Sequence, residues 1–72
     1  MKVFDAKLFG QEIRRRRKAL GYTQTEVAQV CCVGVMFISE LERGKETAQL
    51  GKAILVANML GMDILLKDRG IA

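Results

Sequence analysis

Residues 23–44 read TQTEVAQVCCVGVMFISELERG, two short helices separated by a tight turn. Thr23 followed three residues later by Glu26 is a capping box: the hydroxyl accepts from a free backbone N–H while the carboxylate reaches back to the cap. A helix therefore starts here. Val27, Ala28 and Cys31 form one apolar stripe on an otherwise polar segment, and the pattern fails at Cys32, Val33 and Gly34, which marks the turn. Beyond it, steps of about 100° per residue send Ile38 and Leu41 one way, with Glu42 at their edge, and carry Met36, Ser39, Glu40 and Arg43 to the opposite side. Gly44 ends the second helix. Helix, short turn and helix make a helix-turn-helix unit.

The flanking sequence predicts a helix over about residues 5–20, then 24–31, 35–43 and 48–60 for the rest of the helical set, and a strand over 62–67. In the first helix Phe9, Ile13 and Leu20 define the core stripe. The run Arg14-Arg15-Arg16-Arg17-Lys18 cannot share one face: Arg14, Arg15 and Lys18 point away from the stripe as a solvated surface, and Arg16 and Arg17 flank it. Thr47 is the expected N-cap of the last helix, with Leu50, Ile54, Ala57 and Leu60 as its core stripe. Leu55, Val56 and Met59 add apolar surface meant for something beyond the domain. After Gly61, Met62, Ile64 and Leu66 alternate with Leu65. A lone strand exposes unpaired backbone groups, so the economical arrangement pairs it with the same strand of a second chain across a twofold axis.

Seventy-two residues make a single domain, 1–72, with one core, and a domain this small buries only about 60% of its unfolded surface, so oligomerisation is a natural source of stability. Half the residues are hydrophobic and only 6% aromatic, a composition suited to packed helices of Leu, Ile, Val, Met and Ala. No apolar run approaches the roughly 20 residues that span a bilayer, and no signal-like sequence opens the chain, so a cytoplasmic protein is expected. Adjacent Cys31 and Cys32 cannot build a disulfide framework and are read as reduced thiols. There is no histidine, no metal-ligand cluster and no base near either thiol, which argues against an enzyme, a metal site or a cofactor. The net charge of +4 draws polyanions without naming one. A membrane binder is disfavoured because the basic residues of the first helix surround it rather than oppose an apolar face.

With GYTQTEVA and FISELERG in place, the chain resembles the lambda-repressor-like helix-turn-helix proteins related to Cro, the xenobiotic-response-element type, from about Leu8 to Leu60. FISELERGK, TAQLGK and the apolar tail resemble more narrowly the HipB-type antitoxins, DNA-binding partners of HipA-type kinases. The resemblance implies an all-α fold: a lambda-repressor-like bundle of four to five short helices, with the C-terminal strand pairing across a dimer through Ile64, Leu65 and Leu66, helped by Met59. It also implies that Arg17 pairs with Glu42 of the LERG sequence, that Thr23 and Gln24 hold a DNA phosphate at a helix N-terminus, that Val35, Met36, Ser39 and Glu40 touch base edges, and that Arg43 and Lys45 reach the DNA backbone.

The recognition face lacks the Asn, Gln or Lys that reads purines by hydrogen bonding. Val35 and Met36 are left for thymine methyls and Glu40 for a cytosine amino group. Phe37, between core and groove faces, is expected to pack against a partner chain. Two residues depart from the family pattern: Cys32 stands where glycine is usual and Gly34 where Ser or Thr usually caps. The expected function is a homodimeric, sequence-specific repressor of double-stranded DNA on a palindromic operator, of the toxin–antitoxin kind and with a HipA-type kinase partner. An autonomous or prophage regulator is one rival, and an interaction module that has lost DNA binding is another.

Overall fold

In the computed structural model, which describes residues 2–70, four helices follow one another: α1 (Ala6–Ala19), α2 (Gln24–Cys31), α3 (Val35–Glu42) and α4 (Leu50–Met59). Asp5 caps α1 by accepting from the Leu8 N–H at 2.9 Å, and Arg16, Arg17 and Lys18 in the last turn complement the helix dipole. The buried face of α1 is Gly10, Ile13 and Arg17. Leu20, expected in this stripe, is 41% exposed: it is the C-cap of α1, its N–H still bonded to Arg16 O, and the buried face is completed instead by Arg17, at the i+4 position below Ile13.

Both halves of the Thr23 capping box form, Glu26 N–H to Thr23 Oγ1 at 3.1 Å and Thr23 N–H to Glu26 Oε1 at 2.8 Å. Val27, Ala28 and Cys31 are buried against the rest of the core. Cys32 then takes the left-handed conformation, φ 56° and ψ 42°, and Val33 N–H closes the turn on Ala28 O at 3.0 Å. A non-glycine residue here costs about 1 kcal/mol. Gly34 caps α3 with no side-chain hydrogen bond. The turn nevertheless has the tight form, and α3 packs across both α1 and α2.

The core centres on Ile13, Ile38 and Val56, the largest fully buried side chains, each contributing roughly 1.5–3 kcal/mol by burial. Helix α4 turns a different stripe inward from the one expected. Ala53, Val56, Ala57 and Leu60 are buried, while Leu50 is 71% exposed and Ile54 only half-buried. Apolar residues stand on every side of this helix, so periodicity left its phase open; the stripe that packs inward is Ala53, Val56 and Ala57, continued by Leu60. Gln49, not Thr47, is the N-cap, and it makes no side-chain cap bond. After Gly61, at φ 76°, Met62 N–H returns to Ala57 O at 2.9 Å and its side chain packs on the core. Residues 63–69 leave the body of the domain without strand pairing within the described chain.

Close approach of α1 to α3 depends on Gly10. A Cβ there would collide with Leu41 O and lie 2.8 Å from Glu42 O, both backbone atoms. Gly10→Ala is therefore expected to force the two helices apart and cost about 1–3 kcal/mol, read as a lowered midpoint in thermal melts by circular dichroism. An unchanged midpoint would show that the crossing is looser than described.

Candidate nucleic-acid interface

Four side-chain hydrogen bonds meet where α1, α2 and α3 converge. Arg17 Nε donates to Glu42 Oε2 at 2.6 Å and Arg17 Nη2 to Glu42 Oε1 at 3.0 Å, a bidentate pair. Arg17 Nη1 donates to Tyr22 O at 2.8 Å, and Gln24 Nε2 donates to Glu42 Oε1 at 3.1 Å. Arg17 and Glu42 are each 8% exposed. Hydrogen bonding to the Glu42 carboxylate raises the Arg17 guanidinium above its usual pKa, against the opposing effect of its burial. The last residue of α3 is thereby tied to α1 and to the first residue of α2, and Arg17 in turn holds the loop before α2.

This anchoring leaves one face of α3 free. Val35 is 47% and Met36 64% exposed, Ser39 and Glu40 are partly exposed and Arg43 is exposed, so the structure brings five of the expected contact residues onto one surface. The candidates around it have partners of their own. The Thr23 hydroxyl is taken by its cap, and the Gln24 amide by Glu42, which leaves that amide one further N–H. Lys45 Nζ lies 3.1 Å from Glu40 Oε2. That pair joins an expected base reader to an expected phosphate contact, and it arises because Gly44, at φ 87°, folds the chain back so that Lys45 N–H reaches Glu40 O at 3.0 Å. The glycine after LER is the signal that could have announced it.

Phe37, expected to pack against a partner chain, is half-buried on its own core, with Lys52 Nζ 5.8 Å from its ring centroid. Sequence reasoning also missed Gly10 and Arg16, whose Nε donates to Leu60 O at 2.8 Å and ties α1 to the end of α4. The apolar residues assigned to dimerisation lie at the surface: Met59 48%, Ile64 40%, Leu65 85% and Leu66 97% exposed. Both thiols are free. Cys31 is buried and Cys32 exposed, and burial, aided by the neighbouring Cys32, pushes the Cys31 thiol up. Among the described residues no helix is long and apolar enough to cross a membrane.

A family model described as Helix-turn-helix matches residues 13–66. The chain belongs to the lambda-repressor-like helix-turn-helix family, a class of non-enzymatic DNA-binding transcriptional regulators. Among curated proteins, an uncharacterized HTH-type transcriptional regulator y4mF of Sinorhizobium fredii (strain NBRC 101917 / NGR234) is 46% identical over 55 residues, 76% of this chain and 72% of that protein. Among solved structures, a HipB-O4 20mer complex and a HipA-HipB-O2-O3 complex each share 20% identity and a TM-score of 0.87 with it, over 96% of this chain and 97% of the matched one. At that identity they speak for the fold of the regulator.

Removing either partner of the buried pair leaves the other charge uncompensated. Arg17→Ala and Glu42→Ala are each expected to destabilise by a cost at the low end of about 3–5 kcal/mol, because solvent is near in so small a domain. Arg14→Ala, on the exposed face of α1, should change little, and the Arg17→Ala/Glu42→Ala double mutant should recover part of the loss. Equal melting midpoints for Arg17→Ala and Arg14→Ala would contradict this. Iodoacetamide should modify one thiol per folded chain, Cys32, and both in denaturant, as counted by mass spectrometry; labelling of Cys31 in the folded state would show that the core is open there.

Proposed function

We propose that the regulator is a sequence-specific repressor that binds a palindromic operator as a homodimer. The observation that carries this reading is the free face of α3, held in a fixed attitude by the Arg17–Glu42 pair and set beside the capped start of α2. A helix of this width fits the major groove. There Val35 and Met36 meet thymine methyls, Ser39 accepts or donates, and Glu40 accepts from a cytosine amino group. The backbone N–H groups at the start of α2, the remaining N–H of Gln24, and Arg43 hold phosphates and set the register. Lys45 has two roles: it neutralises Glu40 while the protein is free, then exchanges that carboxylate for a phosphate as Glu40 turns to a base. The exchange keeps a negative residue on the recognition helix from repelling the duplex.

Dimerisation is assigned to the exposed tail. Ile64, Leu65 and Leu66 offer both an unpaired backbone and apolar side chains, and pairing with the same segment of a second chain satisfies both while Met59 extends the apolar contact. Two recognition helices related by a twofold axis would then enter successive major grooves about 34 Å apart. By likeness to the HipB structures, we assign the protein to the HipB-type antitoxins, acting in the cytoplasm, repressing its own operon and binding a HipA-type kinase.

Selection from a random duplex pool, followed by sequencing, is expected to return an inverted repeat with half-sites one helical turn apart; recovery of no enriched sequence would overturn the repressor reading. Deleting residues 62–72 should convert a dimer to a monomer in analytical ultracentrifugation, lower the melting midpoint and abolish preference for the selected repeat. A truncated chain that still sediments as a dimer places the interface elsewhere. The antitoxin assignment expects a HipA-type kinase gene beside this one and a stable complex between the two products; a kinase that does not co-elute with the regulator removes it.

A further inference from the structure

We propose that Lys52 is a phosphate-binding residue of the DNA interface, set on the flank of the recognition helix opposite Gln24; this rests on the DNA-binding reading above. Lys52 lies in the first turn of α4, outside the helix-turn-helix unit, yet its ammonium sits over the Phe37 ring at 5.8 Å from the centroid and the residue is exposed. Phe37 is itself half-buried on the core, so the ring is a fixed platform rather than a mobile surface group. The next residue, Ala53, is buried, which fixes the backbone from which Lys52 projects.

The position follows from helical phase. Phe37 and Glu42 are five residues apart, which places them about 140° from one another around α3. Gln24 is bonded to Glu42 and Lys52 is held by Phe37, so the two stand on opposite flanks of the helix. The shorter arc between those flanks holds Leu41 and Ile38 on the core side, and Ser39, Arg43, Met36 and Glu40 lie on the wider arc of about 220° that faces away from the core. A duplex seated on that arc presents one sugar–phosphate strand to the start of α2 and the other to Lys52, and the long lysine stem spans the remaining gap.

The chemistry of the contact separates Lys52, like Arg43, which is unpaired among the described residues, from the paired cations Lys45 and Arg15. Lys45 is paired with Glu40 and Arg15 with Glu12, so part of their field is cancelled before DNA arrives. An aromatic face steers an ammonium without neutralising it. Among the described residues Lys52 has no carboxylate partner, and its full charge is held beside the recognition helix, available to displace a counterion from a phosphate.

The test is the salt dependence of duplex binding by the full chain, followed by fluorescence anisotropy on a labelled short duplex of arbitrary sequence across a KCl series. Lys52→Gln should flatten the slope of log K against log salt by about 0.9, the value for one phosphate contact. Lys52→Arg, which keeps the charge and can stack on Phe37, should restore the wild-type slope. Arg14→Gln removes the same charge from the outer face of α1 and should leave the slope where it was. A wild-type slope in Lys52→Gln, or an equal loss in Lys52→Gln and Arg14→Gln, overturns the contact while leaving the DNA-binding reading in place. A wild-type chain with no salt-dependent affinity for the duplex overturns that reading and this inference with it.

Discussion

The attitude of the recognition helix depends on one buried ion pair. Glu42 stands at the last position of α3, and its two carboxylate oxygens accept from Arg17 of α1 and from Gln24 of α2, so three helices are held at one point. Taking two charges out of water is costly, and their mutual attraction roughly offsets the expense. What the arrangement supplies is direction. The guanidinium fork admits few geometries with a carboxylate, and the remaining Arg17 nitrogen, Nη1, donates to Tyr22 O, so no buried nitrogen or oxygen of either side chain is left without a partner. A pair of apolar residues in the same place could equal its energy but not its angular definition, and a helix proposed to read base edges needs the angle.

The turn between α2 and α3 meets the same demand with weaker materials. Cys32 occupies a left-handed conformation that glycine adopts freely, and Gly34 begins α3 without a side-chain cap. Each departure is small, about 1 kcal/mol for the first and a few tenths for the second. Both are outweighed by the burial of Val27, Ala28, Cys31 and Ile38 around the turn. The geometry is therefore imposed by packing at a position where local preference alone would leave it loose, and Cys32 is presented as an exposed thiol beside the recognition helix.

The apolar surface has a different origin. A bundle of four short helices offers little interior, and this chain carries more aliphatic residues than that interior accepts: Leu50, Leu65 and Leu66 are all more than two-thirds exposed. In α4, Ala53, Val56 and Ala57 face the core while Leu50, Leu55 and Met59 remain at the surface. Exposed aliphatic groups next to an unpaired backbone segment favour association over isolation, and the twofold pairing proposed above would meet that need while setting the distance between two copies of α3.

Sequence alone determined what is decided within a turn or two of chain. The Thr23–Glu26 capping box, the Val27, Ala28 and Cys31 stripe, the break at residues 32–34 and the glycine stop at Gly44 are local events whose hydrogen bonds and periodicity lie within a few residues; the family resemblance picked Arg17 from a run of four arginines. Tertiary structure decided whatever required knowing which helix lands on which. The phase of α4 was open because apolar residues surround it, the burial of Gly10 depends on a backbone oxygen more than thirty residues away, and Leu20 stands exposed at the end of α1 while Arg17 completes the buried face. The partners of Glu40, Phe37 and Lys52 were likewise hidden, since each is set by a chain reversal or a helix crossing that no short-range pattern encodes. Hydrogen-bond geometry within one helix is dictated by spacing; contact between helices is dictated by which of several comparable faces buries the most with the fewest clashes, and only the assembled fold makes that comparison.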